Sequence, residues 1–275
     1  MKLQFLGTAA AEGIPALYCQ CDTCKTARER GGREVRSRSQ AIIDGKLLID
    51  WNADTWYHSV RFGLDLSAVE ALLFTHTHGD HFYPQELTAC RSSDMVRIEQ
   101  GARLEIYGSV DVEKELAGMV NDNKDPYGFR MNRVEPFKPF KAAGYEVTAL
   151  KAEHGTEHPY NYIISKGGST LLYAHDTAVY SDETFNYLRG SGVKFDYVSL
   201  DCTSACKYMY HAHMGLENCV IMRDKFRELG VADDKTGYCL NHFTHNGINV
   251  LYAEFSEKAA EFGFDVSYDG KMVEI

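Results

Sequence analysis

No stretch of this 275-residue sequence stays apolar long enough to cross a bilayer, because charged residues interrupt every candidate. No membrane partner is expected. A secretory core is missing too: Gln4, Gly7 and Glu12 break up the apolar residues near the start, and Lys2 to Leu6 reads better as a first strand. Without an export signal, eight cysteines argue for a reducing compartment rather than a disulfide framework, so a cytoplasmic protein is expected. Positive charge is in short supply: 29 Lys and Arg face 39 Asp and Glu, a formal net charge of -10. Broad attraction to a nucleic-acid backbone needs the opposite sign, so nucleic acid is not an expected partner. One local exception runs through Lys25, Arg28, Arg30, Arg33, Arg36 and Arg38, offset only by Glu29 and Glu34. It reads as a solvated helix and loop or, more sharply, as a rim that attracts phosphate.

A hydrophobic content of 44% is ample for a core, and a single domain over 1-275 is expected. The chain is organised around Leu73 to His81, L-F-T-H-T-H-G-D-H. Ala71 to Phe74 reads as a short buried strand, and Gly79 marks where the chain turns out of it. Residues two apart in an extended segment point to one side, so His76 and His78 can converge on one ion, while Asp80 and His81 aim elsewhere. Two metals are expected rather than one. Imidazole and carboxylate suit zinc, manganese or iron.

A second cluster lies in a loop at about 15-30, where Cys19, Cys21 and Cys24 make a C-x-C-x-x-C array. Three thiols at that spacing can face one ion, and a structural zinc needs a fourth ligand from elsewhere in the chain. Gln40 to Asp50 reads as a hairpin around Asp44-Gly45 that needs no functional explanation. Helices are predicted over Trp51 to Phe62, Pro84 to Arg91, Val110 to Val120, Leu216 to Leu229 and Val250 to Phe262. His58 reads as a surface or packing residue. Strands are predicted at Leu104 to Tyr107, Tyr145 to Leu150, Asn161 to Ser165, Thr170 to Tyr173, Phe195 to Leu200, Gly237 to Leu240 and Val266 to Tyr268. The polar, proline-containing segment from Asn121 to Pro139 has no assignment. His154 falls just past one predicted strand end and Asp176 at another, with His158 a competitor of His154. His175 points to the other side of its strand and reads as structural.

H-T-H-G-D-H after an apolar strand resembles the signature of the metallo-β-lactamase superfamily. That resemblance implies an α+β protein, a four-layered αββα sandwich with a dinuclear site at one edge. The first strand ending in Gly7-Thr8, followed by the cysteine loop and then the histidines, is similar to the PhnP-type phosphodiesterases. PqqB shares a cysteine loop of this kind but lacks the intact histidine motif. The resemblance implies a first metal held by His76, His78 and His154, a second by Asp80, His81 and His242, and Asp176 bridging the two. It implies that His245 completes the zinc site of Cys19, Cys21 and Cys24. His213, just before a helix, matches a histidine that contacts phosphate or protonates the leaving oxygen; His211 has no such match. Asp80 and His213 are the expected catalytic residues.

The implied cofactors are two divalent ions at the active site, zinc or manganese, and one structural zinc. A metal-bound water whose pKa falls to about 7 then gives hydroxide as nucleophile. The implied activity is hydrolysis of small or cyclic phosphodiesters. Another superfamily reaction, on a thioester, a lactone or an RNA phosphodiester, is the alternative, and a non-catalytic PqqB-like carrier is a third reading. A small phosphodiester is the expected partner, and a homodimer is compatible with the sequence.

Overall fold

The computed structural model describes residues 1–91, 95–99, 103–118 and 128–275. The first half of the chain supplies β1 (Lys2–Gly7), β2 (Gln40–Ile43), β3 (Leu47–Ile49), β4 (Ala71–Leu73), β5 (Leu104–Gly108) and β6 (Phe129–Arg133). The second supplies β7 (Pro139–Ala142), β8 (Tyr145–Lys151), β9 (Tyr160–Lys166), β10 (Ser169–Ala174), β11 (Tyr197–Asp201), β12 (Gly237–Asn241) and β13 (Asp265–Val266), while β14 (Met272–Glu274) returns to the first. Two mixed seven-stranded sheets result, ordered β14-β1-β2-β3-β4-β5-β6 and β13-β12-β11-β10-β9-β8-β7. The helices are α1 (Asp22–Arg30), α2 (Thr55–Phe62), α3 (Pro84–Cys90), α4 (Val110–Ala117), α5 (Asp182–Ser191), α6 (Leu216–Glu228) and α7 (Tyr252–Ala260).

Alternation along the strands builds the layers. Ala41, Ile43, Leu47, Ile49, Ala71 and Leu73 of the first sheet meet Tyr145, Val147, Tyr162, Ile164, Leu171 and Tyr173 of the second. The residues between them, Ile42, Leu48 and Leu72, face outward and pack with Leu87 of α3 and with Val112 and Leu116 of α4. On the far side Ile163, Leu172, Val198 and Leu240 pack with Leu188 of α5, Met222 and Phe226 of α6 and Phe255 of α7. Strands buried on both faces must be apolar at every position, which is why they read as continuous runs. Full burial of each such side chain contributes about 1.5–3 kcal/mol. The architecture is the αββα sandwich that the sequence resemblance implied.

Two hairpins close as their glycines require. Asp44 and Gly45 take left-handed backbone between β2 and β3, with φ of 51° and 68°. Gly167 and Gly168, with φ of 61° and 93°, join β9 to β10.

The sequence reading falls short in several places. Strand β6 falls within the unassigned segment and β7 begins at its last residue, Pro139, while residues 121–127 lie outside the described ones. The predicted helix to Val120 is described to Ala117, and Val120 itself also lies outside. Helix α1 begins before the helix and loop read in the basic stretch, helix α5 and strand β14 had no counterpart in the sequence reading, and the final predicted strand shrinks to Asp265–Val266. Neither reading of the basic stretch describes all of it. Arg36 is buried, donating to Thr8 Oγ1 and the Ser267 carbonyl. Arg28 donates to the carbonyls of Cys19 and Ala16, Arg30 pairs with Glu254, and Arg38 with Asp54. These arginines tie the N-terminal loops together rather than forming a free phosphate rim. Of the two readings of His58, surface or packing, the structure has the second: it is fully buried between Ser37 and Gln40.

Candidate active site

Strands β3, β4, β8, β10, β11 and β12 all end at one edge of the sandwich. There Asp50 follows β3, His76 follows β4, His154 follows β8, Asp176 follows β10, Asp201 ends β11 and His242 follows β12. Asp50, Asp176 and His242 have φ of 65°, 52° and 67°. Left-handed backbone at non-glycine residues costs on the order of 1–3 kcal/mol each, so packing must hold these side chains in place against that cost.

Every residue that the sequence assigned to the two ions comes to this edge. His78 Nδ1 lies 3.0 Å from His76 Nε2 and 3.0 Å from His154 Nε2. His81 Nε2 lies 3.3 Å from His242 Nε2, 3.3 Å from Asp80 Oδ2 and 2.6 Å from Asp176 Oδ2. Asp176 joins the two groups, its Oδ2 3.5 Å from His76 Nε2 and its Oδ1 4.0 Å from His154 Nε2. His158, the competitor of His154, stands outside the group and pairs with Asp111. His175 is buried among Ser199, Asn241 and Ser39, a packing role.

The far nitrogens decide what these imidazoles can do. His81 Nδ1 faces Asp50 Oδ2 at 2.7 Å, His154 Nδ1 faces the Ala212 carbonyl at 3.0 Å, His76 Nδ1 faces Thr75 Oγ1 at 3.0 Å and His242 Nδ1 faces Thr203 Oγ1 at 2.9 Å. Each partner accepts the Nδ1 proton, so four Nε2 lone pairs are left to converge. Thr75 Oγ1 passes its own proton to Asp50, which also accepts from the Thr75 amide. One buried carboxylate therefore braces His81 directly and His76 through Thr75.

The charge around these rings calls for a cation at their centre. Burial alone would lower the His81 imidazole, yet Asp80, Asp176 and Asp50 drive it well above its usual range. Burial holds His76 well below the usual value, and Asp50 is raised by its own burial. A pocket whose carboxylates draw positive charge this strongly suits divalent cations, and the donor set fits two.

His213 sits at the rim. Its Nδ1 lies 3.0 Å from Asp201 Oδ2, 3.1 Å from Thr203 Oγ1 and 3.3 Å from Asp176 Oδ1. Burial would lower its pKa, but Asp201, Asp176 and Asp80 outweigh it and push it up to about 9. Thr203, between His213 and His242, couples the rim to the second group. His78 is exposed and His213 part-exposed, so solvent reaches the site from their side.

Asp50, Thr75, Asp201 and Thr203 had no functional assignment in the sequence. The hairpin ending at Asp50 does carry function. The available signal was an apolar strand ending in a carboxylate, Leu47 to Asp50 and again Tyr197 to Asp201, opening on the same edge as the histidines.

The cysteine cluster assembles separately. Cys19 and Cys21 Sγ lie 3.6 and 3.5 Å from His245 Nδ1, and Cys24 completes the group. A tetrahedral zinc with bonds of about 2.3 Å to sulfur and about 2.0–2.1 Å to nitrogen sets those atoms roughly 3.6 Å apart. Cys21 caps α1 by accepting from the Cys24 amide. The slight burial of its thiol is outweighed by that amide and by Cys19 and His245, which lower its pKa to about 6.

The family model for the β-lactamase superfamily domain matches residues 45–229, from β2–β3 to the end of α6. The chain belongs to the metallo-β-lactamase superfamily. Among solved structures, a diphosphatase of the PhnP family superposes with a TM-score of 0.75 at 22% identity, covering 100% of this chain and 97% of that one. Zinc-bound PqqB from Methylobacterium extorquens gives 0.76 at 17% identity, covering 100% of both. Ribonuclease Z of Listeria monocytogenes serotype 4a is 28% identical over 162 residues, 56% of this chain and 46% of that protein. The chain thus spans about half the length of the curated relatives it matches. That superfamily is one of metal-dependent hydrolases, and the proteins similar to this chain include PhnP-family and ribonuclease Z members.

Proposed function

We propose that the protein is a two-metal phosphodiesterase acting on small or cyclic phosphodiesters. The observation that carries this reading is His213, held by Asp201 at the open side of two converging ligand groups and kept cationic by its carboxylates. Zinc or manganese ions bound by His76, His78 and His154 and by Asp80, His81 and His242, with Asp176 shared, would lower the pKa of water and neutralise phosphoryl oxygens. The chain's own residues supply the rest. Asp50, Thr75, Thr203 and the Ala212 carbonyl fix the tautomers and ring directions of the ligands. Asp80, beside His81 and partly open to solvent, is placed to take the proton of the attacking water. With Nδ1 given to Asp201, His213 has Nε2 to offer the phosphoryl group or the departing oxygen. Cys19, Cys21, Cys24 and His245 would hold a structural zinc, closed to substrate by its four protein ligands.

The ribonuclease Z likeness favours a second reading, cleavage of an RNA phosphodiester. The formal charge of -10 and the internal use of Arg28, Arg30, Arg36 and Arg38 weigh against a long RNA. A carrier without catalysis is disfavoured because every ligand position is filled. A panel of chromogenic phosphodiesters, monoesters and thioesters, with a short structured RNA, assayed with zinc and then manganese, tests the choice. Diester turnover well above monoester turnover is expected. Dominant thioester cleavage would overturn the phosphodiesterase reading, and RNA cleavage without small-diester turnover would select the second.

A further inference from the structure

The segment between β11 and α6 leaves the site at Thr203 and returns to it at His213. In between it is built as a rigid projection. Ser204 N donates to the Met214 carbonyl at 3.2 Å and Leu216 N to the Ala205 carbonyl at 2.7 Å, closing its base. Its outer turn is clamped by the buried side chain of Asn218, which accepts from Met209 N at 2.9 Å and Gly215 N at 3.0 Å and donates to the Met209 carbonyl at 2.8 Å. A Cβ at Gly215 would come within 1.9 Å of the Lys207 carbonyl, so only glycine lets the two limbs approach.

On either side of the clamped Met209 stand Tyr208 and Tyr210, 37% and 79% exposed. Their rings meet edge-on with centroids 4.9 Å apart, an arrangement that leaves a ring face open to a third flat group. Three residues of chain span at most about 11 Å, so Tyr210 is close to His213, and the same limb supplies the Ala212 carbonyl that braces His154. A substituent on a phosphoryl group contacting His213 would need to bridge no more than about that backbone distance, plus the length of a side chain, to meet these rings. Asn218 fixes the backbone from which two large exposed aromatics project, which does nothing for the core but pre-organises the turn that carries them.

We propose that Tyr208 and Tyr210 form a platform that stacks on an aromatic or heterocyclic ester group of the substrate, and that the enzyme thereby selects aryl or nucleoside diesters over alkyl ones. This rests on the phosphodiesterase reading for its substrate and on the loop geometry for the residues. The test compares 4-nitrophenyl phenyl phosphate with 4-nitrophenyl methyl phosphate, which share a leaving group and differ only in the retained substituent. The wild-type protein should favour the phenyl diester in kcat/KM, mainly through KM, and Tyr210→Ala should reduce that preference roughly tenfold, a usual loss for one stacking contact. Tyr210→Phe should keep it, because stacking needs the ring and not the hydroxyl. Equal effects of Tyr210→Ala on both diesters, or loss of the preference in Tyr210→Phe, would overturn the proposal. So would a change in sedimentation of Tyr210→Ala that accounts for its kinetics, since the tyrosines would then serve contact between copies of the chain. Calorimetric binding of phenyl phosphate against methyl phosphate separates this inference from the function it rests on. If neither diester is cleaved, the phosphodiesterase reading fails. The platform then stands if phenyl phosphate still binds about tenfold more tightly and Tyr210→Ala removes the difference, and falls if the two ligands bind alike.

Discussion

The two ligand clusters of this chain are built on opposite plans. At the strand edge, four imidazoles each have their far nitrogen tied to a fixed acceptor, and most ligands are buried. In the cysteine cluster one thiol is exposed, another part-exposed, and the outer nitrogen of His245 faces Glu12 and Asn246 at 3.7 and 3.5 Å. The protein arranges the first site before any ion arrives. The second set also stands at zinc spacing but has fewer braces, so ion binding there contributes more to folding free energy, while the first site spends fold stability to hold its geometry.

The largest effect should come from removing a pre-arranged ligand. His242→Ala is expected to lower hydrolysis by at least about 100-fold while the melting temperature and the cysteine-bound zinc stay nearly unchanged. Elemental analysis after mild chelation, run beside the activity assay, checks both halves of that statement. If the variant also loses the cysteine-bound zinc, the two clusters are not independent and the contrast collapses.

Next comes Asp50→Asn, a positioning change. Since Asp50 braces one imidazole of each ligand group, affinity for both active-site ions should fall about 10–100-fold together. Thr203→Ala, which faces His242 and His213, should weaken the second ion alone. Metal titration of the two variants would show whether Asp50 acts on both; weakening of only one ion in Asp50→Asn would break the bracing argument.

His245→Ala inverts the pattern. Zinc should be lost from the cysteine loop and the melting temperature should fall by about 5–10 °C, with activity per folded molecule much less affected. Retention of that zinc under chelator would remove His245 from the cluster.

The smallest effect concerns His58, which reaches the site only through Gln40, whose amide donates to the Asp50 carbonyl. Burial holds the His58 pKa down to about 4, with Asp54 opposing. A base depressed on folding costs nothing above its unfolded value near 6.5, and stability is lost as pH falls from there towards 4. Melting curves of metal-stripped protein at pH 7 and pH 5 should therefore diverge more for the wild type than for His58→Gln. An identical pH response would mean that His58 already exchanges its proton in the fold.

Much of this was legible in the sequence because the ligands sit in short local patterns at strand ends, where two-residue alternation fixes direction. His76 and His78 needed only that rule. What escaped was pairing at a distance. Asp50 finds His81, 31 residues on, and an aspartate ending a strand looks like any turn residue. Arg36 looked solvated because its acceptors Thr8 and Ser267 lie 28 and 231 residues away. Helix α5 was hidden by its own composition, since Asn186 and Gly190 lower helix propensity and tertiary burial of Phe185 and Leu188 decides the segment.

The span of each ligand set also fixes the order in which the protein can acquire its metals. His81 and His242 are separated by 161 residues, so the site they share does not exist until both sheets have closed. An unfolded chain offers only the fragment His76 to His81, without His154, Asp176 or His242, so selection among ions for the complete site is made by a finished cavity. The three thiols between Cys19 and Cys24 are neighbours in any conformation and can seize zinc during synthesis, long before His245 is made. One chain thus meets the cell's metal supply at two different moments of its life, first through unpaired thiols and only later through a rigid nest of imidazoles.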